Sequence, residues 1–228
     1  VSGDEPTGFL YPFIEAEERD AGALLTDLAA SARGKIAESR RLQAATLAAR
    51  TDQLATLATD LVARFAAGGR LFTFGNGGSA TDAEMTADLF RHPHAGRPLP
   101  ASSLVDDRAV LTALANDVGV ELVFSRQLIA HGRAGDVAMG FSTSGGSVNV
   151  LRAFAEARTR GLLTVGLAGY GGGAMAASDD VEHCLVVGSD SVHRIQETQA
   201  VLVYALWSLV QDQLAPEYDS QDSQEGTR

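Results

Sequence analysis

Leu71-Phe72-Thr73-Phe74-Gly75-Asn76-Gly77-Gly78-Ser79 decides how the rest of this chain is read. A short apolar run enters a turn of three glycines, an amide and a hydroxyl, and Ala80 to Arg91 beyond it has a helical pattern. A strand that ends in glycines and opens a helix gathers backbone N–H groups and a positive helix end at one point, which suits an anion. Taken alone, the turn nominates a phosphate. A second turn, Ser142-Thr143-Ser144-Gly145-Gly146-Ser147, also follows an apolar run and opens a helix.

Outward from these turns, the pattern alternates. Strands are expected near Leu71 to Phe74, Pro100 to Val105, Val137 to Phe141, Leu163 to Leu167 and Val181 to Val187. Helices are expected near Ala80 to Arg91, Arg108 to Ala115, Val120 to His131 and Val148 to Arg160. Apolar strands alternating with helices predict a doubly wound parallel α/β sheet with ligands at the carboxyl ends of its strands. Both special turns fall at such ends. Upstream, Pro12 to Phe65 is rich in Ala, Leu, Glu and Arg, with Leu54, Leu57, Leu61 and Phe65 at helical spacing. This segment is expected to hold two or three helices, with Thr51-Asp52 as a cap between two of them. A last helix after His193-Arg194 is expected to end near Leu214, and it is apolar enough to need cover on most faces, a second subunit included. The expected organisation is a loose 1–8, a helical arm over 9–67, the α/β domain over 68–215 and a disordered acidic tail over 216–228.

Composition narrows the function. The 18 Lys and Arg against 29 Asp and Glu give a formal charge of −11, which argues against nucleic acid and anionic membrane surfaces as partners. No apolar run reaches the length of a membrane span. The lone Cys184 forms no internal disulfide, and its apolar neighbours suggest a buried structural thiol. Without a leader pattern, a cytoplasmic location is the expectation.

An acidic chain must bind an anion with local donors. Ser142, Thr143, Ser144 and Ser147, with two glycines that let the backbone approach, are suited to phosphate, whereas helix capping would need only one or two of them. The sequence Gly75-Asn76-Gly77-Gly78-Ser79, then Ala115-Asn116-Asp117, Ser142-Thr143-Ser144-Gly145 and Arg194-Ile195-Gln196-Glu197 resembles the sugar isomerase (SIS) domain family over roughly Leu42 to Leu214, most closely the phosphoheptose isomerases. The resemblance implies a flavodoxin-like five-stranded sheet and a homotetramer with sites between subunits. It also implies ketose–aldose isomerisation of sedoheptulose 7-phosphate or a related sugar phosphate, in carbohydrate metabolism. By the same resemblance, Asn76, Gly77 and Ser79 contact the sugar and Ser142, Thr143, Ser144 and Ser147 hold the phosphate. Asp117 and Gln196 lie near the reacting end.

The isomerases of this kind carry a His and a Glu on the helix after the glycine turn and a later Gln and His, which bind zinc in many members. The matching positions here are Met85, Leu89, Gln196 and Tyr204. No metal or other cofactor is therefore expected, and the base must be non-standard. His193 adjoins the Arg-Ile-Gln-Glu segment, and histidine is the side chain type most often used for proton transfer at neutral pH. Glu84 and Asp88 share a helix face, with His92 a turn further on; they form a replacement base, a weak metal site or a solvated acidic face. Catalysis is thus assigned to His193, Gln196, Glu84 and Asp88. The alternative is a non-catalytic SIS protein, a sugar-phosphate sensor or an assembly partner like the replication-initiator-binding members.

Overall fold

The computed structural model describes the backbone of residues 21–225 and the side chains of residues 22–215. The loose 1–8 and the start of the arm lie outside them. The elements run α1 (Ala21–Ala66), β1 (Leu71–Gly75), α2 (Gly78–Arg91), β2 (Ala101–Ser103), α3 (Arg108–Asp117), α4 (Val123–His131) and β3 (Val137–Ser142). Then come α5 (Val148–Thr159), β4 (Leu163–Gly169), the single turn α6 (Gly173–Ala176), β5 (His183–Val187) and α7 (Val192–Glu225). All five strands are parallel, in the order β2-β1-β3-β4-β5. That is the flavodoxin-like winding.

Every residue of β1, β3 and β4 is buried, as expected of parallel strands covered on both faces. On one face Leu57, Leu61, Ala83, Phe90, Val203 and Trp207 belong to a core built from α1, α2 and α7. On the other, Phe74, Phe124, Leu128, Val150 and Phe154 belong to a second core, from α4 and α5. The chain divides into compact units at 1–41 and 42–228, so residues 42–66 of α1 belong with the sheet.

The edge strand β5 would expose unpaired carbonyls, an invitation to a foreign strand. Gln53 Nε2 donates to the Cys184 carbonyl at 3.0 Å and Arg50 Nη2 to that of Val186 at 3.3 Å. The neighbouring His183 pairs with Asp60 at 2.9 Å.

Three expectations are corrected. The arm is one helix over its described length, with no break at Thr51: that hydroxyl donates to the Leu47 carbonyl at 3.0 Å, one turn back, and so stays within the helix. The stretch from Val120 begins as a 3-10 turn over Val120–Leu122 before α4, because Gly119, at φ 98°, redirects the backbone. The last helix passes Leu214 and continues to Glu225, so the tail expected to be disordered has helical backbone for most of its length. The apolar face of α7, including Leu202, Leu206 and Val210, is covered by its own sheet unit, while Tyr204 is 51% exposed. No described helix is long and apolar enough to cross a membrane.

Candidate functional site

After β1 the chain crosses to β2 on one side, and it later returns to β3 on the other. Such a reversal opens a crevice at the carboxyl ends of the two central strands. Gly75 of β1 is in register with Phe141 of β3, so the glycine turn and the serine turn leave the sheet side by side.

Two hydrogen bonds lock the turns together: Asn76 Nδ2 donates to Asn149 Oδ1 at 2.8 Å, and Asn149 Nδ2 to Asn76 Oδ1 at 2.9 Å. Gly77 sits at the head of α2 with φ 56°, a left-handed conformation that favours glycine. The following Ser79 is buried, and its N–H donates to the Asn76 carbonyl at 3.0 Å.

Across the crevice, Ser142 Oγ lies 3.0 Å from Ser147 Oγ and 3.5 Å from Ser144 Oγ, and the Gly146 N–H donates to Ser144 Oγ at 3.2 Å. Ser147 occupies the N-cap position of α5, yet its side chain makes no capping bond. Capping therefore does not explain these hydroxyls. They converge on one another beside a helix N-terminus, where the positive end of the helix favours an anion. Thr143, half-buried, is fixed by its carbonyl, which accepts from the Gly169 N–H at 2.9 Å.

Gln196, in the first turns of α7, faces the head of α2. Its amide fills the space that a side chain on Gly78 would need; a Cβ there would come within 2.5 Å of Gln196 Nε2. The same Nε2 donates to Asp82 Oδ2 at 2.9 Å. Burial pushes the Asp82 carboxyl above its ordinary pKa, and the hydrogen bond from Gln196 pulls in the opposite direction. Beyond this pair is a cavity of about 220 Å³ whose wall includes Asp82, Met85, Leu89, Phe141, Val203 and Tyr204.

The structure does not bring the other expected residues to this place. Glu84 and Asp88, two and six positions after Asp82, are turned roughly 200° and 240° around α2 from it and line no part of the cavity. Asp88 instead pairs with His92 at 2.8 Å on the surface, and this hydrogen bond holds its carboxyl below the usual carboxylate range. His193 is exposed at the start of α7, and its ring makes no hydrogen bond among the described residues. Asp117, at the exposed end of α3, accepts from Asn116 Nδ2 at 2.8 Å and contacts neither turn through a hydrogen bond. Its helix contributes no buried residue.

The positions matching the zinc ligands offer a thioether, an alkyl group, an amide already bonded to Asp82, and a phenol. Zinc sites are built from imidazole, thiolate and carboxylate, so this donor set does not fit the ion. Among the described residues no three His, Cys, Asp or Glu gather elsewhere in a metal-binding cluster.

Sequence reasoning missed Asn149 and Asp82. Asn149 follows the serine turn by two residues, close enough to have been considered with it. Asp82 stands three and seven residues before Met85 and Leu89, the helical spacing that places all three on one face. His94, exposed beyond the end of α2, stacks on Tyr204, with centroids 6.0 Å apart and planes 8° from parallel.

The SIS domain family model matches residues 36–169. The phosphoheptose isomerase of Paramagnetospirillum magneticum is 44% identical over 184 residues, covering 80% of this chain and 95% of that protein. That of Rhodospirillum rubrum is 42% identical over 163 residues, covering 71% and 86%. The solved structure of a phosphoheptose isomerase from Neisseria gonorrhoeae superposes with a TM-score of 0.75 at 34% identity, covering 80% of this chain and 98% of that one.

Proposed function

The chain belongs to the SIS domain family, and from that premise we propose that it binds a phosphorylated sugar and interconverts its ketose and aldose forms, as a phosphoheptose isomerase acting on sedoheptulose 7-phosphate or a related sugar phosphate. The observation that carries this reading is the convergence of the Ser142, Ser144 and Ser147 hydroxyls, tied through the Asn76–Asn149 pair to the glycine turn. Ser142, Thr143, Ser144 and Ser147 hold the phosphate with the first N–H groups of α5. Asn76, Gly77 and Ser79 hold sugar hydroxyls. Gln196, over Gly78, reaches the end of the sugar where the carbonyl moves.

Isomerisation shifts a proton between neighbouring carbons and builds negative charge on oxygen. The Gln196 amide has a second N–H to donate to that oxygen while the first remains on Asp82. No zinc takes part in this reading, because the donors at the matching positions are wrong for it. The working form is a homotetramer: Asp117 enters the site from a neighbouring subunit, which accounts for its separation from both turns and for the bare surface of α3. A phosphorylated substrate and a partly buried thiol suit a cytoplasmic enzyme of carbohydrate metabolism.

The test is conversion of sedoheptulose 7-phosphate by purified protein, with and without added zinc, alongside thermal shifts with a panel of sugar phosphates. Conversion that zinc leaves unchanged is the expected result. Stabilisation by a sugar phosphate without turnover would instead identify a sensor, and neither stabilisation nor turnover would leave only a structural partner. Light scattering should give four times the mass of one chain.

A further inference from the structure

We propose that Asp82 is the catalytic base of this chain, moving the proton between the two carbons of the sugar. This inference rests on the isomerase reading and deepens it.

Among the described side chains that line the cavity, Asp82 is the single carboxylate and none is an imidazole. The other polar groups are hydroxyls, and that of Thr86 is already committed, donating to the Asp82 backbone carbonyl at 2.7 Å. The three acid–base candidates suggested by the sequence are elsewhere: Glu84 and Asp88 are on other faces of α2 and His193 is outside the lining. His94 stacks on Tyr204 and is not among the residues that line the cavity.

Asp82 is also placed for the work. Its Oδ2 holds the amide of Gln196, and that amide rests on Gly78 in the turn that carries Asn76 and Ser79. A sugar held by that turn therefore meets Gln196 and Asp82 as one unit. Met85, Leu89, Phe141 and Val203 make much of the remaining wall apolar, so the carboxylate is set against side chains that cannot share its task.

The chemistry balances without a co-reactant. With the carbonyl at C2, the Asp82 carboxylate takes a proton from C1, and the C–H electron pair becomes the C1–C2 double bond. The carbonyl pair moves to O2, where the Gln196 N–H stabilises it. The proton on O1 passes to O2, the O1 electrons form the new carbonyl at C1, and Asp82 returns its proton to C2. No atom is gained and nothing external is oxidised or reduced.

Asp82→Asn keeps the size and an acceptor for Gln196 while removing the base. Two measurements are made on the full chain: stabilisation by sedoheptulose 7-phosphate, and incorporation of solvent deuterium into the sugar. The expected result is undiminished stabilisation with deuterium incorporation reduced about 100-fold or more, the scale of a lost general base. Asp82→Ala should lose it equally and regain part of it with added formate, but none with chloride at the same ionic strength. Incorporation by Asp82→Asn within about threefold of the unsubstituted protein overturns the assignment. So does loss of incorporation only in step with loss of sugar-phosphate stabilisation, with no recovery in formate, which would mark a structural role. Absence of both conversion and incorporation by the unsubstituted protein would bring down the isomerase reading itself, and is thereby distinguished from failure of Asp82 alone.

Discussion

A half-buried carboxylate is a cost that a chain keeps for a reason, and Asp82 makes that cost measurable. Its carboxyl is raised because burial disfavours the charge, and the Gln196 hydrogen bond compensates only in part. A carboxyl whose folded pKa exceeds its unfolded value binds the proton more tightly when folded. Its contribution to stability is full below the unfolded pKa and is lost as pH rises through the folded one. Asp82→Asn should therefore melt at a higher temperature than the unsubstituted protein at pH 7, and the difference should close as pH falls toward the ordinary carboxylate range; scanning calorimetry between pH 4 and pH 7 checks it. Cys184 illustrates the same physics without a function attached. Burial pushes its thiol up to about 11 from 9.0, Arg50 opposing, so at pH 8 its thiolate fraction is about 100-fold below that of an unperturbed thiol. Alkylation by iodoacetamide at pH 8 should be slower in the native protein than in denaturant by at least that factor.

At the scale of elements, the two turns were legible in the sequence because each is a short motif with its own chemistry. The strand ends, the glycines and the clustered hydroxyls all occur within a few residues of one another. Their separate roles were less legible: the tie between Asn76 and Asn149 spans 73 positions and exists only once β1 and β3 are neighbours. The Thr51-Asp52 cap failed for a related reason, since a threonine hydroxyl serves a helix start or bonds one turn back inside a helix, and only the surrounding packing decides. Asp82 was passed over for Glu84 and Asp88 because a pair of acids four apart is conspicuous, whereas the face that matters is fixed by where α7 lies. The serine turn yields a quantitative expectation. Hydrogen bonds to a charged group are worth about 1.5–3 kcal/mol each. Ser144→Ala with Ser147→Ala should then weaken sugar-phosphate binding about 100-fold or more, with little change in the melting temperature of the unliganded protein, because Ser147 does not cap α5. Calorimetric titration with a sugar phosphate measures the first quantity and a thermal melt the second; unchanged affinity would remove the phosphate from this turn.

For the whole molecule, the order of the sheet follows from the alternation of buried strands and amphipathic helices, which leaves few windings, and the crevice between β1 and β3 follows from that order. Net charge worked in the same direction: at −11 the chain must draw an anion by placed donors, and the serine turn supplies them. What charge and periodicity did not disclose is how the molecule divides. Both cores take their buried members from Leu54 onward, and the partly buried residues packed on them begin at Leu42. In the first unit, by contrast, Leu24, Leu25, Leu28 and Ile36 are exposed, at 41% to 66%. Apolar side chains left in water contribute little to the folding of their own chain and are suited to covering by another. Removing residues 1–41 should therefore leave a chain that unfolds in one cooperative transition. Its melting temperature in the monomeric state should fall by less than about 4 °C, the effect of roughly 1 kcal/mol in a chain of this length. Its assembly, followed by light scattering across a dilution series, should weaken at the same time. A truncated chain that fails to fold would place part of the stabilising core in the first 41 residues, whereas one that assembles as tightly as the full chain would assign the subunit contacts to the sheet unit alone.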